Sequence, residues 1–421
     1  MTMSKPTAVQ NFSTTPIRTI ELSKKVDLLH TIPKLKTDEV FSWVRNNQGL
    51  VAWGINTKEN FSGSERFSRA HRWWNEFINN SSIQDEVQTS SSGAIAFVSF
   101  SYLADYSSAI AVPQVIVGQN NDKTWLTVIG NLDIEKIKAE IYNPKELPKA
   151  PQKLTFGNGS ISISQWQQGV EKAVSRINNK ELDKVVLARD IFAKASEEID
   201  ARYILNNLNN SYPECWSFSV DGLVGATPEL LVRKNGNAVL SRVLAGTIRR
   251  DETATDSELD MTLLKSGKDL EEHEFAVSSV ANALALHCTD MRVPQTPRVL
   301  RLSNVAHLAT DISGTLVDAT PALVLAGSLH PTAAICGTPT DRAKNLIKEL
   351  EQMPRNRYTG PVGWINAKGD GELGIALRCA EINENKARLF AGCGIVSESN
   401  AIDELAESNA KFMAMQDALT N

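Results

Sequence analysis

The chain has 421 residues, 42% hydrophobic, 22% charged and 6% aromatic, a globular composition that excludes disordered and fibrous proteins. Lysine and arginine number 44 against 49 acidic residues, and the net charge of −5 leaves no global basic field to hold nucleic acid by its phosphates. Five scattered cysteines (Cys215, Cys288, Cys336, Cys379 and Cys393) form no C-x-x-C pair, which argues against a disulfide framework or a thiolate zinc site.

Residues 1–20 are expected to be a flexible N-terminal tail, rich in Ser and Thr and without the apolar core of a signal peptide. No stretch approaches the ~18 uninterrupted apolar residues that span a bilayer. The protein therefore reads as cytoplasmic, without membrane or nucleic-acid partners, and as a monomer. From 21 to 150, short β-rich runs such as Ala94–Phe100 and Gln114–Val117 alternate with polar loops, and this part is expected to complete a sheet. The proline-rich Asn143–Pro151 stretch is the best boundary, and 151–421 is expected to be one compact catalytic unit.

Beyond the boundary, Ser164 is expected to cap a helix through Trp166, Val170, Ala173 and Ile177, followed by a strand at Lys184–Arg189. Asn235-Gly236-Asn237 reads as a hairpin turn into a strand. Asp256 to about Leu286 reads as one helix, with Leu263, Leu270, Val280 and Leu284 among its apolar positions. Thr340–Met353 is a further helix, closed by Pro354. Strands follow at Pro361–Ala367, Gly374–Ile382 and Leu389–Ile395, and a last helix runs from about Ser399 to Leu419. Hairpins mixed with helices predict an α+β fold.

Two patterns mislead. Gly369-Asp-Gly-Glu-Leu-Gly374 matches the dinucleotide-binding glycine pattern, but a β-like run follows it instead of the helix that would face a pyrophosphate, so it reads as a hairpin turn. Glu271-Glu-His-Glu274 lacks the second histidine of a zinc protease.

The carboxylates are more informative. Asp269 and Glu272 share a helix face at i, i+3, and Glu404, Glu407 and Lys411 repeat the pattern at i, i+3, i+7 on the last helix. Like charges stacked this way commonly mark a solvated face. Here one pair sits on a helix with a large apolar face, and the other follows Ala391-Gly-Cys-Gly-Ile395, whose glycines let a ligand approach the backbone. Two such helices converging on one pocket would suit Mg²⁺, which takes one or two carboxylates and bridges to an anionic substrate. Lys184, heading an apolar strand where burial disfavours a charged ammonium, is a candidate base, and Glu229 after Thr227-Pro228 is a candidate acid.

Taken together, the chain resembles the chorismate-binding superfamily of isochorismate, salicylate, anthranilate and aminodeoxychorismate synthases. The matching stretches are Lys184-Val-Val-Leu-Ala-Arg189, Gly225-Ala-Thr-Pro-Glu-Leu-Leu231, Leu244-Ala-Gly-Thr247, Lys268-Asp-Leu-Glu-Glu-His273, His330-Pro-Thr-Ala-Ala-Ile-Cys-Gly337, Tyr358-Thr-Gly-Pro-Val-Gly363, and Gly392-Cys-Gly-Ile-Val-Ser397 with Asp403-Glu-Leu-Ala-Glu-Ser408. They stand in the family's order over about residues 160–420. The resemblance implies a large two-lobed α/β sandwich, mostly antiparallel, with helices outside and the site between the lobes. It implies Mg²⁺ held by Glu272 and Glu407, with Asp269 and Glu404 behind them, and a metal-bound ring carboxylate of chorismate. It also implies Lys184 as base, Glu229 as acid, and Gly246, Thr247, Tyr358, Arg378, Gly392, Gly394 and Lys411 as carboxylate anchors, with His307 lining the pocket.

Within the superfamily, Ala245 stands where aminodeoxychorismate synthases resemble one another in carrying a lysine nucleophile, and Lys184 is the base that anthranilate synthases typically lack. Both favour water as nucleophile, hence conversion of chorismate to isochorismate by hydroxyl entry at C2 and loss from C4. A salicylate synthase, which goes on to eliminate pyruvate, is the alternative. A binding module on the same fold is the reading from another class. Val243, where proline is more usual, is a departure that touches local strand geometry. Isochorismate would feed menaquinone, or a catechol or salicylate siderophore.

Overall fold

The computed structural model describes residues 14–420 except 144, 147 and 251–254. Its strands form two antiparallel arms that share one long hairpin-like seam. One arm runs outward from Gln48–Phe61 through Val40–Arg45, Trp216–Val220, Leu223–Thr227, Cys379–Asn383 and Lys386–Ile395 to Lys184–Lys194. The other runs from Ser108–Gln119 through Ile95–Ser99, Pro361–Asn366, Gly371–Ile375, Leu230–Asn235 and Ala238–Arg249 to Val305–Leu316. Gln48–Phe61 and Ser108–Gln119 pair with each other and close the seam.

The arms face each other across an apolar interior. Phe41 and Phe97, one from each arm, bring their rings to 5.4 Å, and Trp43 reaches across to donate its indole N–H to Glu372 at 2.9 Å. Phe41, Trp43, Phe97, Phe218, Val232 and Ile375 belong to this one buried cluster. Helices cover the outer faces: Gly267–Ala285 presents Ala276, Val280 and Leu284 inward, and Ala401–Thr420 presents Phe412, Met415 and Leu419. The fold is α+β, and residues before 150 are stitched into both arms, through Val40–Arg45 on one and Ile95–Ser99 on the other.

Four local expectations change. The part of the expected tail at 15–20 is strand: Thr15–Leu22 lies between Ser81–Asp85 and Thr124–Ile129, with Ile17 and Thr19 buried. Ser162, not Ser164, caps the helix Ile163–Asn178, because Gln165 three residues on reciprocates its hydrogen bond. The long helix is two, Asp256–Lys265 and Gly267–Ala285; Ser266 turns the chain out of helix and its hydroxyl accepts from the Asp269 amide. The Gly374–Ile382 strand is broken by Ala376-Leu377-Arg378 into Gly371–Ile375 and Cys379–Asn383, which lie in different arms. The glycine pattern at 369–374 is the hairpin between Pro361–Asn366 and Gly371–Ile375, with Gly369 at φ +76°.

Candidate active site

The chain crosses between the arms at two corners, and each corner carries a site residue. Pro228-Glu229 links Leu223–Thr227 to Leu230–Asn235, and Ala376-Leu377-Arg378 makes the return crossing. Arg378 sits at φ +44°, a strained conformation for a side-chain-bearing residue. Backbone bonds brace both corners: Ile375 N–H donates to the Glu229 carbonyl at 3.2 Å and Ala226 N–H to the Arg378 carbonyl at 3.2 Å.

Between the corners lies a cavity of about 670 Å³ of empty volume including its mouth, lined by Glu229, Thr247, Glu272, His307, Tyr358, Arg378, Gly392, Gly394 and Lys411. Every one of these was singled out from sequence. Lys184, Gly246, Asp269, Glu404 and Glu407 stand behind this lining. Lys184 is fully buried, its Nζ 3.1 Å from Glu272 Oε1 yet outside hydrogen-bond geometry with any described acceptor. Gly246 adopts φ +74° and a Cβ there would meet the Asp269 carbonyl at 2.9 Å, so the strand can turn against the acidic helix only with glycine. The Thr247 amide then donates to Asp269 Oδ1 at 3.1 Å.

The carboxylates are not equivalent. Burial drives the Glu229 carboxyl up to about 8, against the pull of Lys184, Arg378 and Lys411. Burial pushes Glu272 up as well, but Lys184, Lys411 and Lys268 together outweigh it and hold it below the ordinary glutamate value. Glu404 is pushed up to about 7 by burial and the neighbouring Glu407 charge, although Lys268 donates to its Oε1 at 2.7 Å. Glu407 pairs with Lys411 at 2.7 Å, and Lys411 also donates to the Gly392 carbonyl at 2.8 Å.

Hydrogen-bond donors converge from the other side. Arg378 bonds His307 Nε2 through Nη2, while its Nε and Nη1 are buried without a well-formed hydrogen bond among the described residues; the Cys215 thiol lies beside the guanidinium. Burial, with Arg378 and Lys411 adding to it, holds His307 well below the usual imidazole value, and its Nδ1 lies 3.1 Å from Thr247 Oγ1. Tyr358 stacks on Phe390 at 5.0 Å. A buried fork with two weakly engaged donors is built for a carboxylate.

Sequence reading missed Phe390, Leu377 and Val186 among the apolar residues of the lining. Their only sequence signal is hydrophobicity, which core positions share.

A family model described as chorismate binding enzyme matches residues 7–420. The chain belongs to the chorismate-binding enzyme family. Among members, it is 29% identical over 435 residues to "Isochorismate synthase MenF" of Bacillus subtilis, covering 96% of this chain and 92% of the relative. It is 39% identical over 267 residues to "Isochorismate synthase DhbC" of the same organism, covering 60% of this chain and 67% of the relative. The solved structure of MenF, the menaquinone-specific isochorismate synthase from Escherichia coli, superposes with a TM-score of 0.79 over 97% of this chain and 96% of that one; at 24% identity this likeness speaks to the fold.

Proposed function

We propose that the chain is an isochorismate synthase. The observation that carries the reading is a buried glutamic acid, Glu229, that keeps its proton near neutral pH on the wall of a cavity whose opposite donors suit carboxylates. The relatives named isochorismate synthases support the same reaction. The neutral amine of Lys184, not the ammonium that attracts Glu272, takes a proton from the water that attacks C2 of chorismate, and Glu229 gives its proton to the hydroxyl leaving C4. Arg378, with Thr247 and Tyr358, holds the substrate's carboxylates in register between the two.

The residues fit Mg²⁺. Glu404 and Glu407 bring carboxylate oxygens within 4.8 Å of each other and of the Cys393 thiol, and Glu404 Oε2 is buried near Ser399 without a well-formed hydrogen bond among the described residues. Burial raises the Cys393 thiol, so the oxygens are the available donors, and hard oxygen donors suit Mg²⁺. Glu272 and Glu407 would hold the ion, with Asp269 and Glu404 behind them. When bound, it supplies positive charge for the ring carboxylate of the substrate.

The deciding experiment incubates the protein with chorismate, with Mg²⁺ or EDTA, and separates the products by chromatography. Mg²⁺-dependent isochorismate without pyruvate is expected. Salicylate with matching pyruvate would make the chain a salicylate synthase, and unchanged chorismate would overturn the enzymatic reading.

A further inference from the structure

The Lys184–Lys194 strand has an incomplete edge. Lys386–Ile395 pairs along one side, but on the other the short Gly337–Thr338 strand, with the Cys336 carbonyl accepting from the Val186 amide at 2.8 Å, reaches only Lys184 to Val186, and Thr155–Gly157 only the far end. Between them, two side chains take the place of a neighbouring strand. Glu351 Oε1 accepts from the Ala188 amide at 2.7 Å, and Arg355 Nη2 donates to the Val186 carbonyl at 2.8 Å. Arg355 also donates through Nη1 to the Ile335 carbonyl at 2.8 Å, pairs with Glu351 through Nε at 2.9 Å and covers the Tyr102 ring at 4.3 Å. Both side chains of the pair are 2% exposed.

The segments so tied are walls of the active-site cavity: Val186, Ile335 and Thr359 all line it. Thr359 is a β-branched residue at φ +60°, and Asn356 at φ +48° precedes it, so the turn that presents Tyr358 is strained and persists because its surroundings hold it. Lys184, Val186 and Ala188 alternate onto one face of the strand. We infer that Glu351 and Arg355 are a positioning pair for catalysis: by standing in for a missing strand they let the Thr332–Ile335 chain peel away to open the cavity, while fixing the strand that carries Lys184 and the turn that carries Tyr358.

Arg355→Lys keeps the charge but cannot fork to two carbonyls at once. It is expected to lower kcat for isochorismate formation about tenfold to a hundredfold with KM changed less than about threefold. Amide exchange should quicken within 184–190 while the Ser108–Gln119 strand exchanges as in the wild type. Kcat within about twofold of wild type with unchanged exchange overturns the inference. So does a loss of activity accompanied by faster exchange throughout, which marks a merely structural pair. If Arg355→Lys does not fold, Glu351→Gln carries the same test. The kinetic arm rests on the isochorismate synthase reading; if the wild type does not turn over chorismate that reading fails, and the exchange arm alone decides the inference.

Discussion

The corner at Pro228-Glu229 and the helix Gly267–Ala285 each bury a glutamate against the same cavity, and they treat it oppositely. Glu229, 4% exposed, has lysine and arginine charges in the neighbourhood, but burial prevails and the proton stays. Glu272 has a lysine nitrogen 3.1 Å away, and the proton goes. Burial alone makes a carboxyl an acid; a cation in contact makes it an anion. On the proposed reading, the chain separates a proton donor from a cation ligand with one residue type, by choosing which element brings a lysine within reach.

The sharpest way to break this comparison is to remove its two ends. Glu229→Gln and Lys184→Ala are each expected to lose about 10²–10⁴ in kcat while remaining folded; near-wild-type turnover in either removes the acid–base assignment. The Glu229 contrast also has a pH signature. Its folded value of about 8 lies above the ordinary 4.5, so the folded state holds a proton that the unfolded chain releases. Its contribution therefore lowers stability progressively as pH rises from about 4.5 to about 8, and denaturation of Glu229→Gln across that range should show a correspondingly flatter fall. Wild-type kcat/KM should decline above about pH 8 as the acid is lost.

A smaller effect tests the anionic side. A Cβ at Gly394 would lie 2.1 Å from Glu272 Oε1 and 3.1 Å from Lys184 Cε. Gly394→Ala must displace the Glu272 carboxylate, and is expected to raise the Mg²⁺ concentration for half-maximal activity about tenfold. An unchanged Mg²⁺ titration would detach Glu272 from the cation. Smallest is Ser162→Ala, far from either glutamate, which should cost about 1 kcal/mol in chemical denaturation through the lost cap and leave kcat alone.

Much of the site was legible because its chemistry needs residue types that ordinary packing does not. Glu229, Lys184 and the i, i+3 acids stand out by charge in apolar company, and Gly392 and Gly394 by their lack of a side chain, whereas Gly246, Thr247, His307, Tyr358 and Arg378 were reached only through the resemblance to the chorismate-binding superfamily. What escaped reading is long-range. Nothing in Gly374–Ile382 says that a strand-like run changes arms at Arg378, because each half has strand composition and the crossing is dictated by partners at Leu223–Thr227 and Leu230–Asn235. Glu351 and Arg355 carry no sequence signal, one at the end of a helix and the other beyond Pro354, since the strand edge they serve lies some 165 residues earlier. The Thr15–Leu22 strand was hidden in a polar stretch, its order coming from two neighbours on either side.

The two corners also govern how the molecule is made. The Lys184–Lys194 strand finds its partner Lys386–Ile395 only after roughly two hundred further residues have been synthesised, and each crossing strand, besides its local hairpin, has a distant partner: Leu223–Thr227 pairs with Cys379–Asn383 and Leu230–Asn235 with Gly371–Ile375. Such non-local topology folds slowly, because loop-closure entropy is spent before the contacts return it. A ribosome-bound chain lacking those last strands exposes an apolar edge at Val185–Ala188, so chaperone demand during translation should concentrate on that window.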